Sequence, residues 1–350
     1  MIIRWIVSGA IIRDRSNIGH RDTTNTNSGQ ITSHQIINID SIQELSGSLL
    51  ASPKESFDPW KKMIQNTRWH LDMWMYDITY NRAKLPLVQL AESGIPMRVI
   101  LEDDKYSSFG NSYIGTKALF ADAGIKIMSD WDLGLGTNYV HAKVFVTSDR
   151  AIIQTANLTN GGFNTSREYY TQITDSAVVA NLQALFDADW KGKPLDASQI
   201  HPNLLVCPIN CRDIIQSLIR WAQKSIIIQN QYIEDPALAK IIAAKTWVSK
   251  QIIVASNDFS SGTLALFGEE ARILTSPYPH AKMMLIDDQY LMVSSINYST
   301  NSMDNNREIG VIITNREAID YFMERFSKDR AKAKTTKTYK VPVKKVVEAE

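Results

Sequence analysis

The phrase Tyr-x-His-Ala-Lys followed by an apolar run is written twice, 139 residues apart, and this repetition restricts the chain to folds built from two copies of one unit. It reads Tyr139-Val-His141-Ala-Lys143-Val-Phe-Val in the first half and Tyr278-Pro-His280-Ala-Lys282-Met-Met-Leu-Ile in the second. In each copy an Asn closes the next apolar run (Asn157, Asn297), and an Arg-Glu pair follows (Arg167-Glu168, Arg307-Glu308). Two imidazoles, two ammonium groups, two amides and two carboxylates therefore recur in matched order.

The apolar frames around the motif recur as well. Leu49-Leu50-Ala51-Ser52-Pro53 answers Leu204-Leu205-Val206-Cys207-Pro208, an offset of 155. Each is followed by a helical pattern (Trp60 to Asn66; Arg212 to Gln223), then a β-rich run (Trp69 to Met75; Ser225 to Gln229). A second helix (near Leu85 to Ser93; near Ala237 to Ala244) and a second β-rich run (Met97 to Leu101; Gln251 to Ala255) come next. The motif opens a strand that a short turn returns through Ile152-Ile153 or Leu291-Met292-Val293. A last strand (Tyr169 to Thr174; Ile309 to Thr314) leads into a closing helix (near Val178 to Trp190; Arg316 to Phe326).

Between the Leu-Leu-x-x-Pro phrase and the motif the first copy carries about sixteen extra residues, which the pattern puts around Glu102 to Gly115. It then loses one residue between His and Asn. Strands alternating with helices imply α/β layers, and the terminal hairpin implies a mixed sheet in each copy. Two such lobes packed about a pseudo-twofold axis would act as an internal pseudo-dimer within a monomer. The expected boundaries are a polar leader over 1–44, a first lobe over 45–200, a second over 201–328 and a basic tail over 329–350.

With 350 residues, 44% of them hydrophobic and 21% charged, the chain can bury a core in each lobe. A formal net charge of +1 gives no global attraction to nucleic acid or anionic membrane, so any basic surface is local. No stretch reaches the ~20 apolar residues that span a bilayer. The opening Met1 to Ile12 reads equally as a weak export signal, an interfacial segment or a strand, and a cell-envelope or secreted setting is favoured over a cytoplasmic one. Two cysteines, Cys207 and Cys211, exclude a disulfide-stapled scaffold and leave the redox compartment open. They lack the second ligand pair that a metal site would need.

The repeated polar set suits attack on an anionic phosphorus centre. A neutral imidazole can attack a phosphodiester and form a phosphoramidate, splitting one hard step into two. A second, protonated imidazole can donate to the departing oxygen and later take a proton from water. Lysines supply fixed positive charge, amides complete the cradle, and a carboxylate on the far nitrogen of each imidazole fixes its tautomer. No metal or cofactor is required. His and Lys two apart on a strand leave by one face, at its open end. A lone His-x-Lys is usually a solvated surface pair; four polar types recurring in order inside duplicated frames are what point to chemistry.

This arrangement resembles the phospholipase D superfamily, whose signature is His-x-Lys, four residues, Asp, then a Gly/Ser-x-Asn segment. The second copy matches with His280, Lys282, Asp287, Ser294-Ser295-Ile296-Asn297 and Glu308. The first matches with His141, Lys143, Gln154-Thr155-Ala156-Asn157 and Glu168, but Ser148 holds the expected Asp position and Asp149 comes one step late. The resemblance covers about residues 45 to 327. It implies one active site at the interface of two α/β lobes and a metal-independent covalent phosphohistidine. It assigns His141 as nucleophile and His280 as general acid, then base, an order that the pseudosymmetry leaves reversible. Lys143, Lys282, Asn157 and Asn297 would hold the phosphate, Glu168 and Glu308 would orient the histidines across the interface, and Asp287 would be structural.

The resemblance implies phospholipid or another phosphodiester as substrate, with peripheral membrane contact. The leading expectation is a hydrolase or transferase of phosphatidyl groups; the alternatives are an endonuclease acting on nucleic acid, a cardiolipin synthase-like transferase, or a phosphate-binding pseudoenzyme. The loops Trp131 to Tyr139 and Phe259 to Phe267 precede the motifs and should form the lips of the site, with Leu264, Leu266 and Phe267 the buried face of a helix. Trp60, Trp69, Trp74, Trp190 and Trp221 are expected to pack cores. His20, His34, His70 and His201 lack duplicated partners and read as surface or capping groups.

Overall fold

The computed structural model describes residues 37–53, 55–102, 111–256, 260 and 262–335, the side chains of 111–114, 130 and 131 excepted. The first lobe runs β1 (Gly47–Ser52), α1 (Phe57–Gln65), β2 (Leu71–Met75), α2 (Asn81–Glu92), β3 (Met97–Leu101), α3 (Asn111–Asp122), β4 (Lys126–Met128), α4 (Asp130–Leu133), β5 (Val144–Val146), β6 (Ala151–Gln154), α5 (Asn160–Asn164), β7 (Ser166–Ile173) and α6 (Ser176–Trp190). The second runs β8 (Leu204–Cys207), α7 (Cys211–Trp221), β9 (Ser225–Asn230), α8 (Pro236–Ala244), β10 (Ser249–Ala255), β11 (Ala271–Leu274), β12 (Tyr278–Pro279), β13 (Lys282–Ile286), β14 (Tyr290–Ser294), α9 (Thr300–Asp304), β15 (Glu308–Ile313), α10 (Arg316–Lys332) and β16 (Lys334–Thr335).

The two sheets repeat one topology: β1-β7-β6-β5-β2-β3-β4 is answered by β8-β15-β14-β13-β9-β10-β11. β2, β3 and β4 are parallel, as are β9, β10 and β11, while the remaining pairs in each path are antiparallel. The fold is thus α/β with two pseudo-symmetric lobes, each a mixed sheet flanked by helices. Central strands such as β2 and β13 are buried along their whole length, which their near-continuous apolar runs require because both faces are covered. α1 and α2 cover the outer face of the first sheet through Trp60, Ile64 and Leu87, and α7 and α8 cover the second through Ile214, Leu218 and Ile242. The inner faces of both sheets share one cluster, which the closing helices fill with Val178, Leu182 and Phe186 from α6 and Ile319, Phe322 and Phe326 from α10.

Register locates the extra residues of the first lobe differently from the sequence pattern. The offset is 155 at Trp74/Gln229, 153 at Ile100/Ile253, 144 at Met128/Arg272 and 139 at His141/His280. The additions are therefore spread over three connections, including the one between β4 and the motif that holds α4. Hydrophobic pattern is silent in connections, so it merged them into one insertion.

The closing helix α10 runs to Lys332, past the point where composition alone suggests a tail, because Asp329 on it is buried and β16 adds to the edge of β11. At the other end Ile39, within the expected leader, is buried in the second lobe's outer core. Residues 1–36 and 336–350, with His20, His34 and most of the leader and tail, lie outside the described residues. Trp60 and Trp74 are fully buried and Trp190 and Trp221 pack against core clusters, but Trp69 is 72% exposed because it stands on the bend before β2 rather than on the strand. Phe267 is buried, whereas Leu266 is exposed, since this segment makes only a 3-10 turn. His70 bonds Gln183 at 2.8 Å, and His201 accepts from the Asn203 backbone. Cys207 and Cys211 form a disulfide across the β8–α7 connection.

The two motif hairpins differ in the way the sequence anticipates. The β5–β6 turn has two residues, Ser148 and Asp149, closed by Thr147 N–H donating to Arg150 O, whereas the β13–β14 turn has three, 287–289. Asp287 turns back from that hairpin, and its carboxylate accepts from the N–H groups of Gln223, Lys224 and Ser225 at 2.8, 2.7 and 2.8 Å. Asp287→Ala removes three charge-assisted hydrogen bonds far along the strand from His280. It should lower unfolding stability by about 1–3 kcal/mol in a denaturant titration, with the fold retained.

Candidate active site

The stretch that carries each histidine leaves its own sheet and pairs with the other lobe. Tyr278 and Pro279 form β12, parallel to Ser166 and Arg167 at the start of β7, and Val140 forms the matching bridge to Arg307. Arg307 O accepts from both His141 N–H and Ala142 N–H at 2.9 Å, and Arg167 O accepts from His280 N–H at 3.1 Å. Each motif therefore lies beside the Arg-Glu pair of the opposite lobe.

The consequence is a reciprocal pair of side-chain contacts. His141 Nδ1 lies 2.9 and 2.8 Å from the two carboxylate oxygens of Glu308, and His280 Nδ1 lies 2.6 Å from Glu168 Oε1. The far oxygen of Glu168 accepts from Thr155 Oγ1, and Glu308 Oε1 accepts from Ser302 Oγ. Lys143 Nζ donates to His141 O at 2.5 Å, while Lys282 Nζ donates to His280 O at 2.6 Å and lies 3.1 Å from His280 Nε2. Among the described residues no hydrogen bond reaches His141 Nε2. Asn157 and Asn297 sit three residues beyond β6 and β14, and the Oδ1 of each is buried without a partner.

Burial sets the electrostatics. It pushes the His141 imidazole down to about 4, with Lys143 and Lys282 adding to the effect and Glu308 opposing it. His280 is likewise held below the usual histidine range by burial, then by Lys282 and Lys143, against Glu168. The two lysines thus each act on the imidazoles of both lobes. Burial also lowers the Lys282 ammonium to about 8, although Glu168 and Glu308 both pull it upward. For Glu308 burial alone would raise the carboxyl, but His141, Lys143 and Ser295 outweigh it and hold the group below its ordinary value.

Several contributors were not read from the sequence as site residues. Arg307 donates to Asp189 at 2.9 Å and to Cys207 O at 2.8 Å; Arg167 donates to Asp329 at 2.6 and 3.0 Å and to Ser52 O. Asp189 and Asp329 lie on the closing helices α6 and α10 of the other lobe and are fully buried. Their common offset of 140, the same as for the Arg-Glu pair, was the available signal. Tyr76, at the end of β2, packs edge-on against His141 at 4.8 Å, and its ring centroid lies 5.2 Å from Lys143 Nζ. The residue at that place in the second lobe is Gln231, so no duplication marked it. Glu102 is buried and accepts from Val140 N–H at 2.6 Å. Of the anticipated lip residues, Tyr139 meets Tyr76 at 6.3 Å, while Phe259 and the Trp131 side chain lie outside the described residues.

A family model described as "Cardiolipin synthase, PLD-like domain" matches the chain twice, over residues 60–190 and 215–330. The chain belongs to the phospholipase D superfamily. Among curated protein sequences none matches significantly. Solved structures share the fold at low identity. Polyphosphate kinase from Porphyromonas gingivalis has a TM-score of 0.63 at 15% identity, covering 85% of this chain and 53% of its own, so this chain spans about half of that enzyme. Phosphatidylserine synthase from Haemophilus influenzae Rd KW20 has a TM-score of 0.57 at 13% identity, covering 80% of this chain and 85% of its own. The two matched segments each contain one of the duplicated His-x-Lys signatures, at His141 and at His280.

The Arg307–Asp189 pair holds the backbone that seats His141. Asp189→Asn keeps the shape and leaves the guanidinium buried without its counter-charge, so it should cost about 3–5 kcal/mol of unfolding free energy. A shift below about 1 kcal/mol in denaturant unfolding would show that the pair is not needed to seat the motif.

Proposed function

We propose that this chain cleaves or transfers phosphodiesters through a covalent phosphohistidine, with phosphatidyl groups as the favoured substrate class. The observation that carries the reading is the reciprocal His–Glu pairing across the lobes, 2.8 Å for His141–Glu308 and 2.6 Å for His280–Glu168. Duplicated core residues have no need of such an exchange; two imidazoles serving one substrate do.

Glu308 fixes the proton of His141 on Nδ1 and leaves the Nε2 lone pair for attack. His280 Nε2 is instead met by Lys282 Nζ at 3.1 Å, and this asymmetry favours His141 as the nucleophile. Attack forms a P–N bond as the P–O bond to the leaving group breaks. An anionic phosphate between the lysines raises the proton affinity of His280, which then gives its Nε2 proton to the departing oxygen. Water or an acceptor alcohol next passes a proton to His280 and attacks phosphorus, and the P–N bond breaks to restore neutral His141. Lys143, Lys282, Asn157 and Asn297 hold the anionic oxygens, and Glu308 steadies the positive charge of the phosphorylated ring. One chain supplies both halves of the site.

The family description and the fold shared with phosphatidylserine synthase over most of both chains support a phosphatidyl substrate. A net charge of +1 argues against a nonspecific nuclease. The Cys207–Cys211 pairing supports a cell-envelope or secreted setting, where disulfides persist.

The test is to mix the chain with phosphate-labelled phospholipid and, in parallel, with labelled oligonucleotide, both with chelator, and to stop each in denaturant. Label retained on His141 from phospholipid is expected, with turnover abolished in His280→Ala. Label from oligonucleotide alone would make the chain a nuclease, and none from either would make it a phosphate binder. The pH profile gives a second check. Lys282 is charged below about 8 and His141 is neutral above about 4, so kcat/KM should fall as pH rises through 8 and as it drops through 4. An activity still rising above pH 9 would contradict the assigned role of Lys282.

A further inference from the structure

We infer that the first lobe carries a small-oxyanion site, for phosphate or carboxylate, at the end of its strands remote from the histidines. The second lobe supplies the precedent. There the bend before β9 and the first residue of that strand present three successive N–H groups, of Gln223, Lys224 and Ser225, and all three bind the carboxylate of Asp287. Strand register maps these positions onto Arg68, Trp69 and His70 before β2, and Asp287 onto Ser148.

In the first lobe that carboxylate is missing. Ser148 replaces it on a turn one residue shorter, and no hydrogen bond is made by the backbone N–H of Arg68, Trp69 or His70 among the described residues. A cavity of about 640 Å³ stands beside them, lined by Gln65, Thr67, Arg68, Trp69, Ser148 and Arg150 among others. Thr67 lines it too, is only 8% exposed, and its Oγ1 has no hydrogen-bond partner. The second lobe has Ala222 at that position, fully buried in apolar surroundings, so the first lobe carries a hydroxyl next to Arg68 that the second lacks.

Charge favours an anion. Asp149 is the acidic residue of the cavity wall, and it is engaged by Arg150 at 3.0 and 2.6 Å and by Thr147 Oγ1 at 2.9 Å. Arg68 is left as the net charge. Consecutive backbone N–H groups on a bend form a concave donor set that holds one or two oxygens of an anion, and a neighbouring guanidinium adds a forked contact. The occupant is therefore a phosphate or carboxylate group, free or borne by a larger molecule.

The test follows the backbone amides of the isotope-labelled full chain by NMR during separate titrations with inorganic phosphate and with acetate. Saturable shifts are expected at Arg68, Trp69 and His70, with no matching response at Gln223, Lys224 and Ser225, whose donors Asp287 already occupies. The anion with the lower Kd identifies the occupant's chemistry. Ser148→Asp with one residue inserted after it restores the three-residue turn and should abolish the response. Arg68→Gln should weaken it about two- to fivefold, the scale of one exposed ion pair. Absence of saturation at these amides with both anions, or an equal response in the second lobe, would overturn the site. Phosphate bound at the histidines shifts the amides of 140–143 instead, so the two sites are read independently.

Discussion

The structure turns on a backbone exchange. Arg307 O holds the N–H groups of His141 and Ala142, and Arg167 O holds that of His280. Through it each histidine meets the glutamate of the other lobe. The exchange is anchored on both sides, because each of these arginines spends its guanidinium on a buried aspartate from the other lobe's closing helix. Removing either partner would strand a buried charge, so the exchange is costly to undo. The shared core between the sheets, filled by α6 and α10, fixes the same relation by packing.

Burial then sets the protonation of these residues, on which the proposed reaction depends. An imidazole in water is partly protonated near neutrality and useless as a nucleophile in that form. Here burial and two ammonium groups keep His141 neutral down to about 4, while Glu308 holds its one proton on Nδ1. The same burial loosens the proton on Lys282 to about 8, so the charge proposed to receive substrate is itself marginal. An arriving anion strengthens every one of these cations, and the site is most polar when it is filled. Tyr76 breaks the symmetry, packing on His141 and Lys143 where the second lobe has Gln231.

Much of this was legible in the sequence because duplication marks whatever both lobes need. The succession of strands and helices, the paired histidines and lysines and the two glutamates recur in order, whereas Asp287 stands in the second copy alone and was read from the signature. What was missed falls into two kinds. Asp189 and Asp329 recur at the right offset, but acidic residues on helices ordinarily face water, and only the buried arginines explain them. Tyr76, Ser302 and the exposed Trp69 have no like counterpart, so repetition could not reveal them. The extra residues before the first motif were misplaced for a related reason, since loops carry no periodicity and only strand register locates them.

In the proposed reaction, histidines from two lobes serve one phosphorus atom. A crystal structure with vanadate bound tests it most directly. A single vanadate bonded to His141 Nε2 is expected, with His280 Nε2 on the opposite side within hydrogen-bond reach of an apical oxygen and both lysines on equatorial oxygens. Two vanadates, one at each histidine, or one held by a single lobe's residues, would contradict it.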